Sequence, residues 1–277
     1  MADPKSKTKT GGPPNLNWSA TSQDYLRYRP GYPRQFFTVL RQFGIGLAGQ
    51  HILDLGSGTG ALAVPFARQG AQVTAVDPSE GQISAGKAAA RKHGVKIKFK
   101  VASAEKTGLP DRSFAAITAS MCWGYFDITR MKIEVPRLLR PGGLLLVSTL
   151  IWELGADGII GLTDKLIAKY NPESRRGGHS RVWNAHGEVV PDWSQRWLRL
   201  KTFHEFRADL PFSRESWRGR MRACRWIGAA LPQEQTEAFD REHAALLERV
   251  APARFMIPHR ITIRIFAAGT ATKLRKR

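Results

Sequence analysis

The run Leu53-Asp-Leu-Gly-Ser-Gly-Thr-Gly60 constrains this chain more than any other stretch. A short apolar segment, His51 to Leu55, passes at once into three glycines at alternate positions, and a helical pattern follows from about Ala61 to Gln69. Strand, glycine turn and helix in that order place backbone N–H groups and a helix N-terminus beside a bound ligand. Gly56, Gly58 and Gly60 lack the Cβ atoms that would hold a ligand off the main chain. Gly70 reads as a left-handed cap on the helix, and Pro65 falls in its first two turns, where it is tolerated. Asp77 stands 17 residues beyond Gly60, at the end of a second apolar run, Ala71 to Val76. In a right-handed βαβ unit that position lies next to the glycine loop, so its carboxylate can accept both hydroxyls of a ribose.

The alternation continues. Pro78 and Ser79 open a helix that ends near Gly94, and Val95 to Val101 alternates apolar residues with Lys96, Lys98 and Lys100. Period two with a lysine face predicts a strand near the sheet edge, where lysines discourage stray pairing. Further strands are expected over 114–119 and 144–150, the second after Pro141-Gly-Gly143. A helix is predicted from Ile159 to Tyr170, a loop from Asn171 to Pro191, and helices over 213–228 and 234–250. Phe239, His243, Leu246 and Val250 form the apolar stripe of the last helix. A strand from Arg260 to Ala267 closes the pattern, with Ile261, Ile263 and Ile265 on one face. Such an order of elements predicts an α/β fold with a parallel sheet. Residues 1–17 read as a disordered lead-in, 18–150 as the nucleotide-binding core, 151–268 as an insert or lid with closing strands, and 269–277 as a basic tail.

Two cofactor classes use a glycine loop followed by an acid, and Gly56 to Ala61 passes a loose dinucleotide pattern. Asp54 separates them. An acid immediately before the loop suits a ligand bearing ammonium and sulfonium groups, and it would repel a pyrophosphate.

With Leu53 to Gly60, Val76-Asp77, Ser103-Ala-Glu105 ahead of Leu109-Pro110, Ser113-Phe114 and Leu138-Leu-Arg-Pro-Gly-Gly143 in this order, the chain resembles the class I S-adenosylmethionine-dependent methyltransferases. It looks most like their ubiquinone/menaquinone-methylase-like branch, over roughly residues 18–150. The resemblance implies a Rossmann-like, seven-stranded, mostly parallel sheet ordered 3-2-1-4-5-7-6, with helices on both faces and an α-helical lid. It implies S-adenosyl-L-methionine as cofactor, held by Asp54, Gly56, Ser57, Gly58, Gly60, Asp77, Pro78 and Met121. Ala104 would offer backbone to the adenine, and Glu105 or Ser103 would receive its amino group. Tyr25 to Pro33 is similar to the family's N-terminal lid, in which Tyr28 or Arg29 would pair with the donor's carboxylate.

The acceptor should sit beyond the fourth strand, since ligands of open α/β sheets bind at the strands' C-terminal ends. Trp123 and Tyr125 either wall an aromatic or apolar acceptor or pack as lid-core aromatics. Met121 and Gly124 stand where relatives often have Gln and His, so no general base is assigned there. His179, His186 and His259 are each a candidate base or a packed histidine, and Cys122 reads as a small buried residue. On the helix over 213–228, Arg214, Arg218, Arg222 and Arg225 share one face, with Trp217, Met221 and Cys224 beside it. That row either binds an anion, which makes Trp217 and Arg218 substrate-binding candidates, or is a solvated face.

The net charge is +20, with 20 basic and 9 acidic residues in 1–150 (+11) and 23 and 14 in 151–277 (+9), so the excess is dispersed. Dispersed charge favours a small-molecule methyl acceptor, aromatic or anionic, over RNA or DNA as the partner. A protein that binds the donor without catalysis is the third reading. Two cysteines give no disulfide framework, no histidine set has zinc spacing, and no apolar run is long enough to cross a membrane. A cytoplasmic enzyme without metal is expected.

Overall fold

The computed structural model describes residues 16–153, 158–176 and 197–268. Seven strands form one sheet in the order β3-β2-β1-β4-β5-β7-β6. They are β1 His51–Leu55, β2 Gln72–Asp77, β3 Ile97–Val101, β4 Phe114–Ser120, β5 Leu139–Trp152, β6 Leu198–Ser213 and β7 Arg254–Ala268. β1 to β5 run parallel, and β7 is antiparallel to both β5 and β6. This is the order that the resemblance implies.

The helices are α1 Ser22–Tyr28, α2 Arg34–Gln42, α3 Ala63–Arg68, α4 Glu80–Lys92, α5 Ile128–Leu138, α6 Gly158–Tyr170, α7 Glu173–Arg176, α8 Arg214–Arg222 and α9 Gln233–Val250. Successive strand residues point to opposite faces, so each short apolar strand feeds two cores. Ile52 packs with Phe36 and Leu40 of α2 and Phe66 of α3, whereas Leu53 and Leu55 pack with Met131 and Val135 of α5.

β3 lies at the edge, as its lysines predicted, but starts two residues later than expected and leaves Val101 46% exposed. β5 starts at Leu139, and its register breaks between Phe114 and Ala116 of β4, opposite Pro141-Gly-Gly143. Regular pairing resumes at Leu144, where the sequence had placed the start. α3 begins at Ala63, because Gly60 at φ +87° keeps Ala61 and Leu62 in the turn. On α9 the buried stripe is Phe239, His243 and Leu247, and Val250 is 38% exposed. Leu246 is half-buried against the same core, so of the expected stripe it is Val250 that turns outward, and Leu247 joins the rest.

β6 has no counterpart among the strands read directly from the sequence. It alternates buried or half-buried Leu198, Leu200, Thr202, Phe206, Ala208, Leu210 and Phe212 with exposed Arg199, Lys201, Glu205, Arg207 and Asp209. The expected loop from Asn171 to Pro191 falls largely outside the described residues, as do residues 1–15, the terminal basic run, His179 and His186.

Candidate active site

The glycine loop joins β1 to α3. Gly56, Gly58 and Gly60 have φ of +59°, +53° and +87°, conformations that a Cβ disfavours. A Cβ on Gly56 would stand 2.7 Å from Cβ of Cys122. The loop is tied to β2 by Ser57 N–H donating to Val76 O at 3.0 Å. Asp77 accepts from Gly58 N–H at 2.9 Å through one carboxylate oxygen and from Ser79 N–H at 2.9 Å through the other. Burial pushes its carboxyl above the usual range, against those two bonds. Each oxygen keeps a lone pair for a ligand.

Two buried polar atoms beside this carboxylate, Ser57 Oγ and Gln82 Oε1, have no hydrogen-bond partner among the described residues. Buried polar groups are nearly always satisfied. The orphaned atoms, the left-handed glycines and the anchored Asp77 together fit a polar ligand of nucleoside type.

Asp54, at the end of β1, accepts from Thr118 Oγ1 at 2.6 Å and is 3% exposed. Burial pushes its carboxyl up to about 7, against the hydrogen bonds of Thr118 and the Ala63 N–H. Cys122 donates through Sγ to Leu55 O at 3.1 Å, and burial raises its thiol well above the ordinary value. It is a packing residue, as the sequence reading had it.

The N-terminal segment closes over this loop. Asn17 caps the 3-10 turn Trp18–Thr21, Ser19 Oγ meets Ser79 Oγ at 2.9 Å, and Gln82 Nε2 donates to Trp18 O at 2.9 Å. α1 is clasped from the other side by α8, where Arg222 donates to both oxygens of Asp24 at 2.8 and 2.9 Å.

Beside the glycine loop, over the ends of β4 and β5, lies a cavity of about 660 Å³ including its mouth. Trp18, Tyr25 and Arg29 line it from the lid, and Met121 and Tyr125 from the segment after β4. Trp152 at the end of β5 and Arg220, Ala223, Cys224, Arg225 and Trp226 in and after α8 complete the wall. Met121 holds φ +61°, and its Sδ accepts from Leu150 N–H at 3.0 Å. A left-handed unbranched residue at a cavity floor is a strained position of the kind found at functional sites.

Several expected site residues are placed elsewhere. Tyr28 donates to Glu215 Oε1 at 2.6 Å and lies on Gly219, so it latches α1 to α8 and does not line the cavity. Trp217 is fully buried and donates Nε1–H to Thr163 Oγ1 at 3.1 Å. Arg218 is paired with Asp240 and does not reach the cavity. The helix rotates both side chains into the α6–α8–α9 packing, so neither is free for substrate. Two more of the arginine row are also spent on ion pairs, Arg222 with Asp24 and Asp240 and Arg214 with Glu248. Arg225, the last of the row, turns inward and stacks over Trp226 at 4.1 Å.

Trp123 is 4% exposed in the core with Phe126, which fits the packing alternative, whereas Tyr125 lines the cavity. His259 is 1% exposed, its Nδ1 lies 2.8 Å from Ile257 O, and burial pushes it down to about 4. It is a packed histidine and not a base. Ala104 is buried, Ser103 and Pro78 are exposed, and Glu105 Oε1 accepts from Asp127 N–H at 3.0 Å. The sequence reading missed Trp18, Trp152, Trp226 and Arg220. For Arg220 a signal existed, since Ala223 and Cys224 stand one turn on and leave room above it.

Residues 52–143 match a family model described as a methyltransferase domain. The ubiquinone biosynthesis O-methyltransferase of Bradyrhizobium sp. strain ORS 278 is 32% identical over 154 residues, 55% of this chain and 57% of that protein. A ubiquinone/menaquinone biosynthesis C-methyltransferase of Rubrivivax gelatinosus is 39% identical over 113 residues, 39% of this chain and 43% of that protein. The chain thus spans about half the length of the curated relatives it matches. Among solved structures, an Anaeromyxobacter dehalogenans protein assigned as a type II methyltransferase is 25% identical with a TM-score of 0.58, covering 87% of this chain and 97% of that one. Among the described residues no helix is long and apolar enough to cross a membrane, and no group of His, Cys, Asp and Glu is arranged to hold a metal.

Proposed function

We propose, from the premise that this chain belongs to the class I S-adenosylmethionine-dependent methyltransferases, that it transfers a methyl group to a small-molecule acceptor held in the cavity beside the glycine loop. S-adenosylmethionine supplies an activated methyl on a sulfonium. The chain's own residues then have three tasks: binding, alignment and exclusion of water.

Asp77 holds the ribose hydroxyls, the backbone of Gly56, Ser57, Gly58 and Gly60 lies against the donor, and Asp54 faces its cationic groups. Ala104 with Glu105 or Ser103 takes the adenine. Arg29, and not Tyr28, takes the donor's carboxylate, because Tyr28 is engaged with Glu215. Trp18 and Tyr25 close the lid over both ligands. The described lining contains no carboxylate and no histidine, and burial pushes Tyr125 up to about 12, so it offers no base of ordinary pKa.

The observation that carries the small-molecule reading is the lining: Trp18, Tyr25, Tyr125, Trp152 and Trp226 wall a concave site between the N-terminal segment and α8, with a few polar groups among them. The dispersed net charge supplies no basic stripe for a polymer backbone. The relatives include both an O- and a C-methyltransferase by name, so they leave the accepting atom open. The test is a transfer screen with methyl-labelled donor on host extract, with products separated into small molecules and polymers. Label in the small-molecule fraction is expected. Label in RNA, DNA or protein would overturn the proposal, and donor binding without any transferred label would favour the non-catalytic reading.

A further inference from the structure

Three arginines line the cavity, Arg29, Arg220 and Arg225, and no acid among the described residues does. Arg220 is the buried one of the three, the other two being half-buried. It is 5% exposed, its guanidinium sits 4.8 Å over the Trp152 ring, and it has no ion-pair partner among the described residues. The outward arginines of the same helix behave oppositely, because Arg214, Arg218 and Arg222 are each matched by a carboxylate. Burial and the neighbouring Arg29 push Arg220 down to about 10, the direction expected of a cation with nothing to neutralise it.

An uncompensated buried cation is costly to a fold. Leaving one in a ligand cavity, one turn before the small residues Ala223 and Cys224 that make room above it, prepares a site for an anion. The donor's carboxylate, assigned above to Arg29, accounts for one negative charge and leaves Arg220 for another. The surrounding surface is aromatic, with Trp18, Tyr25, Tyr125, Trp152 and Trp226 on the walls.

We propose that the acceptor is an aromatic carboxylic acid, its carboxylate seated on the planar fork of Arg220 and its ring packed among these aromatic walls. A planar carboxylate can take both prongs of the buried Arg220 fork while its ring lies beside the flat walls, one of which carries Arg225 stacked over Trp226 at 4.1 Å. This inference deepens the methyltransferase reading and rests on it.

The test is calorimetric titration of the full chain saturated with S-adenosylhomocysteine. The probes are 4-hydroxybenzoate, 3,4-dihydroxybenzoate and indole-3-acetate, each beside its neutral amide. At least one acid should bind, with its amide about thirtyfold weaker or more, and Arg220→Gln should bring the acid down to the level of the amide. Arg220→Lys, which keeps the charge, should recover part of the loss. S-adenosylhomocysteine affinity should stay within about threefold in both variants. Arg220→Met should raise the thermal midpoint of the ligand-free protein, because it removes a buried charge; a purely structural arginine would give a lower midpoint. Acid and amide binding equally, or an Arg220→Gln variant that binds acid normally, would overturn the proposal. So would loss of S-adenosylhomocysteine binding in Arg220→Gln, which would assign the guanidinium to the donor. Failure of every acid while S-adenosylhomocysteine binds sinks the acceptor inference alone, whereas failure of S-adenosylhomocysteine to bind sinks the methyltransferase reading beneath it.

Discussion

Gly56→Ala attacks the glycine loop at its most crowded point. Two costs follow from the geometry. Residue 56 sits at φ +59°, and a side chain in the left-handed region costs roughly 1–2 kcal/mol. The new methyl would also lie 2.7 Å from Cβ and 2.8 Å from Sγ of Cys122, and crowding of this kind typically costs about 1–3 kcal/mol. The loop can escape the clash only by moving, and Gly58 N–H would move with it away from Asp77. Donor affinity measured by calorimetry should therefore fall at least about tenfold, the equivalent of roughly 1.4 kcal/mol. The two costs are separable. Adding Cys122→Gly removes both contacting atoms and leaves the backbone term, so the double variant should recover about half of the loss in free energy. Donor binding within twofold of the parent in Gly56→Ala would refute the account of the loop. So would the absence of any recovery in the double variant when Cys122→Gly alone is harmless.

Other perturbations probe the lid and the electrostatics. Arg222→Met strands the mostly buried Asp24 of α1 and takes from Asp240 of α9 one of its two arginines, leaving Arg218, and should lower stability by about 2 kcal/mol, a drop of several degrees in a thermal melt. Tyr28→Phe should leave donor affinity within about twofold while Arg29→Gln weakens it at least about tenfold by calorimetry; the reverse ranking would restore the first expectation for Tyr28. Asp54 has its carboxyl raised to about 7, so it carries a proton below that pH and a negative charge above it. Binding a cationic donor favours the charged form and releases the proton, so donor affinity should rise from pH 6 to pH 8 by up to about tenfold and then level off. Asp54→Asn should flatten that profile, and an unchanged slope would remove Asp54 from the donor site.

The parts of the fold that the sequence made legible are those in which one residue type is forced. Three alternating glycines, an acid closing the next strand and a lysine-faced edge strand each have a single mechanical reading, and β1, β2 and the place of β3 followed from them. β6 was missed because its alternation is interrupted at Thr202 to His204, beside a register shift after Leu200, and charged residues stud its open face. The arginines of α8 show a second limit. Helical phase groups Arg214, Arg218 and Arg222 on one face, but phase alone does not say what faces them. The answer lies in Asp24, Asp240 and Glu248, the first nearly 200 residues away in the chain. The same uncertainty applies to Arg220: the small residues Ala223 and Cys224 one turn on mark the room above it, but the absence of an acid among its described neighbours is a tertiary fact. Trp217 misled for a related reason: an aromatic beside an arginine reads as a ligand platform until the core it fills, with Phe212 and Trp152, is in view.

The central claim is that the carboxylate of Asp77, anchored by Gly58 and Ser79, holds the methyl donor. Titration of S-adenosylmethionine into the parent protein and into Asp77→Ala and Asp77→Asn tests it most directly, with thermal melts confirming that both variants fold. Charge-assisted hydrogen bonds of about 1.5–3 kcal/mol each to two ribose hydroxyls predict a loss of at least about a hundredfold in Asp77→Ala and a smaller loss in Asp77→Asn. Folded variants that bind the donor as tightly as the parent would contradict the account.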